Sequence, residues 1–339
     1  MTDAVTIQSA PVSNLTPEQL MLQVESCGLV AEEMLAKRYS IQSLLGRGGF
    51  GVTFLARNIH LPGQPFCVVK KFAPIFIDPK LVAIARDQFE LESLMLSQLG
   101  SHAQVPTLLD YFQIDQNYYL VEEYIPGTVL SQLVTHQQQL TEPEVENFLT
   151  QMLQLLVYIH SHHLIHRDIK PQNIILCQTD RRFVLVDFGA VKDLSPIASP
   201  NKQAEYSTAV GTPGFAPPEQ LANYPVYASD IYALGMTCIY LLTGREPSEF
   251  SIDPHTCELM WAEDLDISIG LLEIINKMTQ MPLADRYQSA TQVLTALDNR
   301  SIRAKLRAYM DQKHAVAKGE HSGSLVYYPA VVNWALGIE

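Results

Sequence analysis

Apolar positions between Thr141 and Ser161 follow a helical rhythm. Val145, Phe148, Leu149, Met152, Leu155, Leu156 and Ile159 fall on one face, and Thr141 with Glu144 supplies a capping box ahead of them. Pro79 to Leu99 reads as a second helix, and the pattern predicts others at Ser229–Leu242, Ile269–Met281 and Ser289–Leu297. From Tyr39 to Tyr124 the remaining signals are those of strands, with Leu108–Ile114 and Asn117–Tyr124 forming a hairpin around Asp115-Gln116. A strand-rich stretch therefore precedes a helix-rich one, which predicts an α+β chain of two lobes with an antiparallel sheet in the first. Ahead of both, residues 1–14 are polar and read as disordered. Thr16-Pro17-Glu18-Gln19 then starts a short helix interrupted near Gly28.

Composition narrows the class. The chain has 339 residues, 47% of them hydrophobic, enough for a large core. A net charge of −13 argues against general binding of nucleic acid or anionic membrane. The cysteines at 27, 67, 177, 238 and 257 are scattered, odd in number and without a C-x-x-C pair, which suits buried thiols in a reducing compartment better than a disulfide scaffold or metal site. The N-terminus lacks the basic start and apolar core of a signal peptide. The apolar run Ile231–Leu242 falls short of the ~20 residues a membrane span needs. The expectation is a cytoplasmic protein with no integral membrane segment.

Candidate chemistry begins at LLGRGGFGVTFLA, residues 44–56, where Gly46, Gly48 and Gly51 make G-x-G-x-x-G. Those glycines suit either the pyrophosphate of a dinucleotide or the tail of ATP. The flanks decide between them: Tyr39–Leu45 and Val52–Ala56 both read as strands, and a Gly-rich hairpin over phosphates is an ATP lid rather than a dinucleotide loop. Arg47, Gly49, Phe50 and Thr53 belong to the same lid.

Residues 166–173 read HRDIKPQN. Asp168 can accept the proton of an incoming hydroxyl and Lys170 can neutralise a transferring phosphoryl group. Asn173 offers a neutral oxygen to Mg²⁺, a hard cation. Asp187-Phe188-Gly189 follows the apolar run Phe183–Val186. A carboxylate at the end of a buried strand is costly unless paired or metal-bound, which makes Asp187 a second metal ligand.

With these motifs in register, the chain resembles the eukaryotic-type (Hanks-type) protein kinase family, serine/threonine branch, over about residues 39 to 298. It resembles most the bacterial, especially cyanobacterial, members that share G-G-F-G-x-T and a P-P-E ending. The resemblance implies the two-lobed protein kinase fold, an antiparallel N-lobe sheet plus the family's C helix and a helical C-lobe. It divides the chain into an extension (1–38), an N-lobe (39–124), a C-lobe (125–298) and a tail (299–339). It implies ATP, with Mg²⁺ or alternatively Mn²⁺, and protein substrates phosphorylated on Ser or Thr.

Carried onto matching positions, the resemblance assigns Lys70 to the phosphates and Glu92 to its ion pair. Lys71 and Glu90 are the neighbours that strand and helix geometry turn elsewhere. Backbone groups of Glu123 and Ile125 would bond the adenine edge. Glu122 stands at the gatekeeper position, where an apolar residue is usual, and a buried carboxylate there needs a partner. Glu219 would pair with Arg286, and Asp230 would hold the catalytic loop. Thr53 replaces the valine over adenine, Pro217 an alanine, and Tyr232 a tryptophan. Thr212 is the docking threonine. The regulatory phosphosite, four residues before it, is Thr208, with Ser207 beside it and Arg167 and Lys192 as cations for the phosphate.

Two competitors remain. Small-molecule kinases of the same fold usually lack both the lysine two residues after the catalytic aspartate and the docking end, so Lys170 and Gly211–Glu219 favour a protein substrate. A nucleotide-binding pseudokinase scaffold would be expected to have lost a catalytic position, and every one is occupied. The tail adds a basic segment, 300–318, and an apolar one, 325–338, with Tyr327, Tyr328, Val331, Val332, Trp334 and Leu336. Such a segment has surface to bury, against the lobes, a partner or a second copy.

Overall fold

The computed structural model describes residues 34–48, 51–74, 78–100, 102–137, 139–194, 211–254, 259–263 and 265–300. The Thr16 helix, Gly49, Phe50, Ser207, Thr208 and the 325–338 tail lie outside the described residues.

The first lobe is built on a six-stranded antiparallel sheet. Its strands are β1 (Met34–Leu35), β2 (Tyr39–Arg47), β3 (Gly51–Asn58), β4 (Phe66–Phe72), β5 (Leu108–Ile114) and β6 (Asn117–Glu123), in the order β1-β2-β3-β4-β6-β5. β2 and β3 flank the Gly-rich turn, which Gly48 N–H closes by donating to Gly51 O at 2.9 Å. Gly51 is required by closeness: a Cβ there would stand 2.3 Å from the Lys71 carbonyl oxygen on β4.

Register separates the two faces of this sheet. Thr53, Lys70 and Leu120 lie directly opposite one another across β3, β4 and β6, so their side chains share a face. Val52, Phe54, Ala56, Cys67, Val69, Tyr119 and Val121 take the other face and pack with Leu35, Tyr39 and Ile41 as one apolar cluster. Helix α1 (Pro79–Leu99) begins with Asp78 accepting from Lys80 N–H at 2.8 Å and Pro79 in the first turn, and it stops at Gly100 with φ 61°. It covers the Lys70 face, where Phe89 packs on Phe72 with ring centroids 5.6 Å apart.

The second lobe holds α2 (Leu130–Gln137), α3 (Glu142–Ser161), α4 (Pro218–Leu221), α5 (Tyr227–Thr243), α6 (Ile269–Met278) and α7 (290–300). Short strands β7 (Gly127–Val129), β9 (Ile174–Cys177) and β10 (Phe183–Leu185) make a three-stranded sheet, and β8 (Leu164–Ile165) pairs with β11 (Lys192–Asp193). The predicted apolar face of α3 is buried throughout, and the Glu144 carboxylate accepts from the Thr141 backbone N–H at 2.8 Å. α5 is buried on all sides from Ala228 to Thr243, as befits an apolar helix at the centre of a lobe. α6 ends at Met278 rather than at Met281, because Pro282 disfavours helix in the residues before it. α7 runs past Leu297 to Arg300, whose guanidinium pairs with Glu142 and with Glu146 on α3. Among the described residues no helix is long and apolar enough to cross a membrane.

Candidate active site

Lys70 leaves the middle of β4 on the face that α1 covers. Its Nζ lies 2.6 Å from Glu92 Oε1 on α1, so the expected pair forms. The same Nζ lies 3.3 Å from Glu122 Oε1 on β6, which supplies the partner the gatekeeper carboxylate needed. Burial pulls the Lys70 ammonium down, but Glu122, Glu92 and Asp187 more than offset it and hold the lysine above its usual range. Burial pushes the Glu122 carboxyl up to about 7 against the pull of Lys70, with Glu92 and Asp187 adding to the rise. Lys71 points to the opposite face of the sheet, in register with Val52 and Tyr119.

Asp168 sits between β8 and the turn Pro171–Asn173. Asn173, 1% exposed, donates from Nδ2 to the Asp168 carbonyl and to its Oδ2, both at 2.9 Å. Lys170 Nζ lies 2.9 Å from Oδ2. Thr212 donates its hydroxyl to Asp168 Oδ1 at 2.8 Å and accepts from Lys170 Nζ at 2.8 Å. The carboxylate thus faces one hydroxyl and one ammonium with its orientation set from behind by an amide. Such an arrangement can take a proton from an alcohol while a cation stands beside the oxygen.

Asp187 follows β10 with φ 67°, a left-handed conformation that costs a non-glycine residue strain of ~1–3 kcal/mol. Burial works against its charge, yet Lys70, Lys170 and His166 hold the carboxyl below the usual range. Phe188 beside it is buried and meets the His166 ring edge-on at 4.8 Å. Asp187 and Asn173 offer a carboxylate and an amide oxygen, a donor set that fits a hard divalent cation and no soft one.

The loop carrying Asp168 hangs from α5. Asp230, fully buried, accepts from the backbone N–H groups of His166 and Arg167 at 2.9 Å each, and from His160 Nε2 at 3.0 Å. Burial opposes its charge, but these bonds outweigh it and keep the carboxyl below its usual range. Replacing Asp230 by Asn leaves one oxygen for three donors, and stability is expected to fall by about 1.5–3 kcal/mol. A depressed folded pKa stabilises above the unfolded value of ~3.9 and loses that support as pH falls. Asp230→Asn should therefore also flatten the acid side of the melting profile. Melting temperatures that match between wild type and variant from about pH 3 to about pH 7 would count against this anchor.

Glu219 and Arg286 form the expected buried pair, Nη1 to Oε1 at 2.6 Å and Nη2 to Oε2 at 3.4 Å. Arg286 also donates to the carbonyls of Gln280, Ala228 and Met281. Gln220, next to Glu219, donates to the Arg167 carbonyl at 2.6 Å and ties the segment ending at Glu219 to the Asp168 loop. The sequence does not single out Gln220 or His160. Their signals are positional only, one residue after Glu219 and in the last turn of α3. Nor does it pair Glu122, because cross-strand register between β4 and β6 is needed to find Lys70. Gly46, Gly48 and Gly51 line the β2–β3 turn, and Thr53 lies opposite Lys70.

The profile of the protein kinase domain matches residues 39–297. The chain is 49% identical over 265 residues to serine/threonine-protein kinase B of Synechocystis sp., covering 77% of this chain and 46% of that protein. It is 40% identical over 269 residues to serine/threonine-protein kinase PknA of Nostoc sp., covering 78% and 48%. Serine/threonine-protein kinase C of Synechocystis sp. is 39% identical over 268 residues, covering 78% and 50%. The chain thus spans about half the length of the curated relatives it matches.

Proposed function

The chain belongs to the protein kinase family, and we propose that it transfers the γ-phosphoryl group of ATP to serine and threonine hydroxyls of proteins. The observation that carries this reading is the Asp168 carboxylate, which already receives a threonine hydroxyl at 2.8 Å with Lys170 beside that oxygen. A substrate hydroxyl in the same relation would give its proton to Asp168 as its oxygen bonds to the γ-phosphorus and the bond from that phosphorus to the β,γ-bridging oxygen breaks, releasing ADP. Lys170 would offset charge on the phosphoryl oxygens. Lys70, fixed by acids, would hold the phosphates of ATP under the Gly46–Gly51 turn and Thr53, with the backbone of Glu123 and Ile125 taking the adenine edge. Asn173 and Asp187 would hold Mg²⁺, or Mn²⁺ in its place, which when bound supplies positive charge to the phosphates. The expected result of incubation with γ-labelled ATP is label in mixed protein acceptors and none in aminoglycosides or choline. Label confined to the small alcohols would overturn the reading.

Regulation falls on Ser207 and Thr208, with Thr212 as the docking residue. Burial lowers the Arg167 guanidinium to about 10, and burial followed by Arg167 lowers Lys192. The resemblance names both as cations for a phosphate there, and Arg167 also donates to the carbonyls of Ala190 and Val191. After incubation with ATP, peptides spanning 203–215 are expected to carry phosphate by mass spectrometry. Only unmodified peptide from an active preparation would exclude autophosphorylation there. The buried free thiols of Cys67, Cys177 and Cys238 suit a reducing, cytoplasmic setting.

A further inference from the structure

The resemblance pairs Lys70 with one acid, Glu92, yet the site contains a second, Glu122. Lys70 and Glu122 stand on the same face of adjacent strands: Lys70 is opposite Leu120 and Glu122 is opposite Val68, so the two are diagonal neighbours, within reach of long side chains. Glu122 Oε1 is 3.3 Å from Lys70 Nζ. Its Oε2 is buried and has no hydrogen bond among the described residues. The other charged groups acting on it, Glu92 and Asp187, are both acids. A buried carboxylate must be compensated, and here the compensation comes from Lys70.

The two acids are mounted differently. Glu92 rides on α1, which meets the sheet through apolar contacts such as Phe89 with Phe72 and with Tyr111. A helix held that way can shift as a body. Glu122 is fixed relative to Lys70 by the β4–β6 ladder, which runs from Cys67 opposite Glu123 to Lys71 opposite Tyr119. An ammonium has three N–H donors, so two acids leave one for a phosphate oxygen.

We propose that Glu122 is a second positioning residue for Lys70, keeping the ammonium aimed from within the sheet whether or not α1 presents Glu92. The inference rests on the ATP-binding role of Lys70 and deepens it. This chain tolerates loss of the helix acid because a strand acid stands in for it, and only loss of both frees the lysine.

The test is a double-mutant cycle on the full chain with Glu92→Ala and Glu122→Leu, reading kcat, KM for ATP and the melting shift induced by Mg·ATP. Each single variant is expected to lose less than ~10-fold in kcat/KM, and the double variant at least ~10-fold more than the product of the singles. In the Glu92→Ala background, Glu122→Gln should restore most of what Glu122→Leu loses, because the amide oxygen still accepts from Lys70. Glu122→Leu alone should not lower the melting temperature, since an apolar side chain replaces a buried acid. Its kinetic effect is then not one of folding. Glu92→Ala falling as far as the double variant, or two effects that multiply within a factor of ~2, would overturn the proposal. Glu122→Met replaces Glu122→Leu if the latter fails to fold. The Mg·ATP melting shift is read on all the proteins. A wild type without turnover overturns the phosphotransfer reading, and the melting shifts then still decide the role of Glu122 in holding Lys70 for ATP.

Discussion

Asp168→Asn is expected to cut turnover by a factor of ~10² to 10⁴ while leaving Mg·ATP affinity nearly unchanged. The carboxylate is tethered by Asn173 Nδ2 and faces the Thr212 hydroxyl and Lys170. An amide of the same shape can keep one oxygen toward the hydroxyl but cannot take its proton. It can also present an NH₂ where Lys170 needs an acceptor. The ATP contacts proposed here lie on the β2–β3 turn, on β3 and β4, and at Glu123 and Ile125 where β6 ends, so KM for ATP should change little. Initial rates with saturating acceptor give kcat, and a direct binding titration gives the affinity. Near-wild-type turnover in this variant would remove Asp168 from the chemistry.

Asp187→Asn is expected to act earlier, on binding. Loss of an outer partner of a metal ligand typically costs ~10–100-fold, so loss of an anionic ligand should weaken Mg·ATP by ~10² or more, with turnover falling as well. The structure adds a second consequence. Asp187 is one of the acids that keep the Lys70 ammonium above its usual range, so neutralising it also loosens that lysine's charge. The defect should shrink as Mg²⁺ is raised, because mass action partly restores occupancy. Equal Mg·ATP affinity in wild type and variant, measured by calorimetry, would show that Asp187 does not hold the metal.

How far the sequence reached can be seen residue by residue. The bounds of α1 were legible because Asp78-Pro79 and Gly100 are strong local start and stop signals. α3 was legible because its apolar stripe is long and its capping box intact. The β2–turn–β3 lid and the β5–β6 hairpin were legible from alternation around turn residues. β1, β7 and β8 were not singled out, since two or three residues show no periodicity. The Lys70–Glu92 and Glu219–Arg286 pairs were reached through resemblance, and spacing alone would not have joined them. Contacts that depend on register across strands or on side chains meeting across separate elements stayed hidden: Glu122 with Lys70, His160 with Asp230, Gln220 with Arg167. Each joins positions far apart in the chain, through residue types that many exposed sites share.

The most direct test of phosphotransfer through Asp168 is acid-stable label from γ-labelled ATP on a protein acceptor, followed by phosphoamino-acid analysis, run side by side on the wild-type chain and on Asp168→Asn. Phosphoserine or phosphothreonine is expected with the wild type, and a rate ~10²-fold or more lower with the variant. Label on tyrosine alone, or equal labelling by the two proteins, would contradict it.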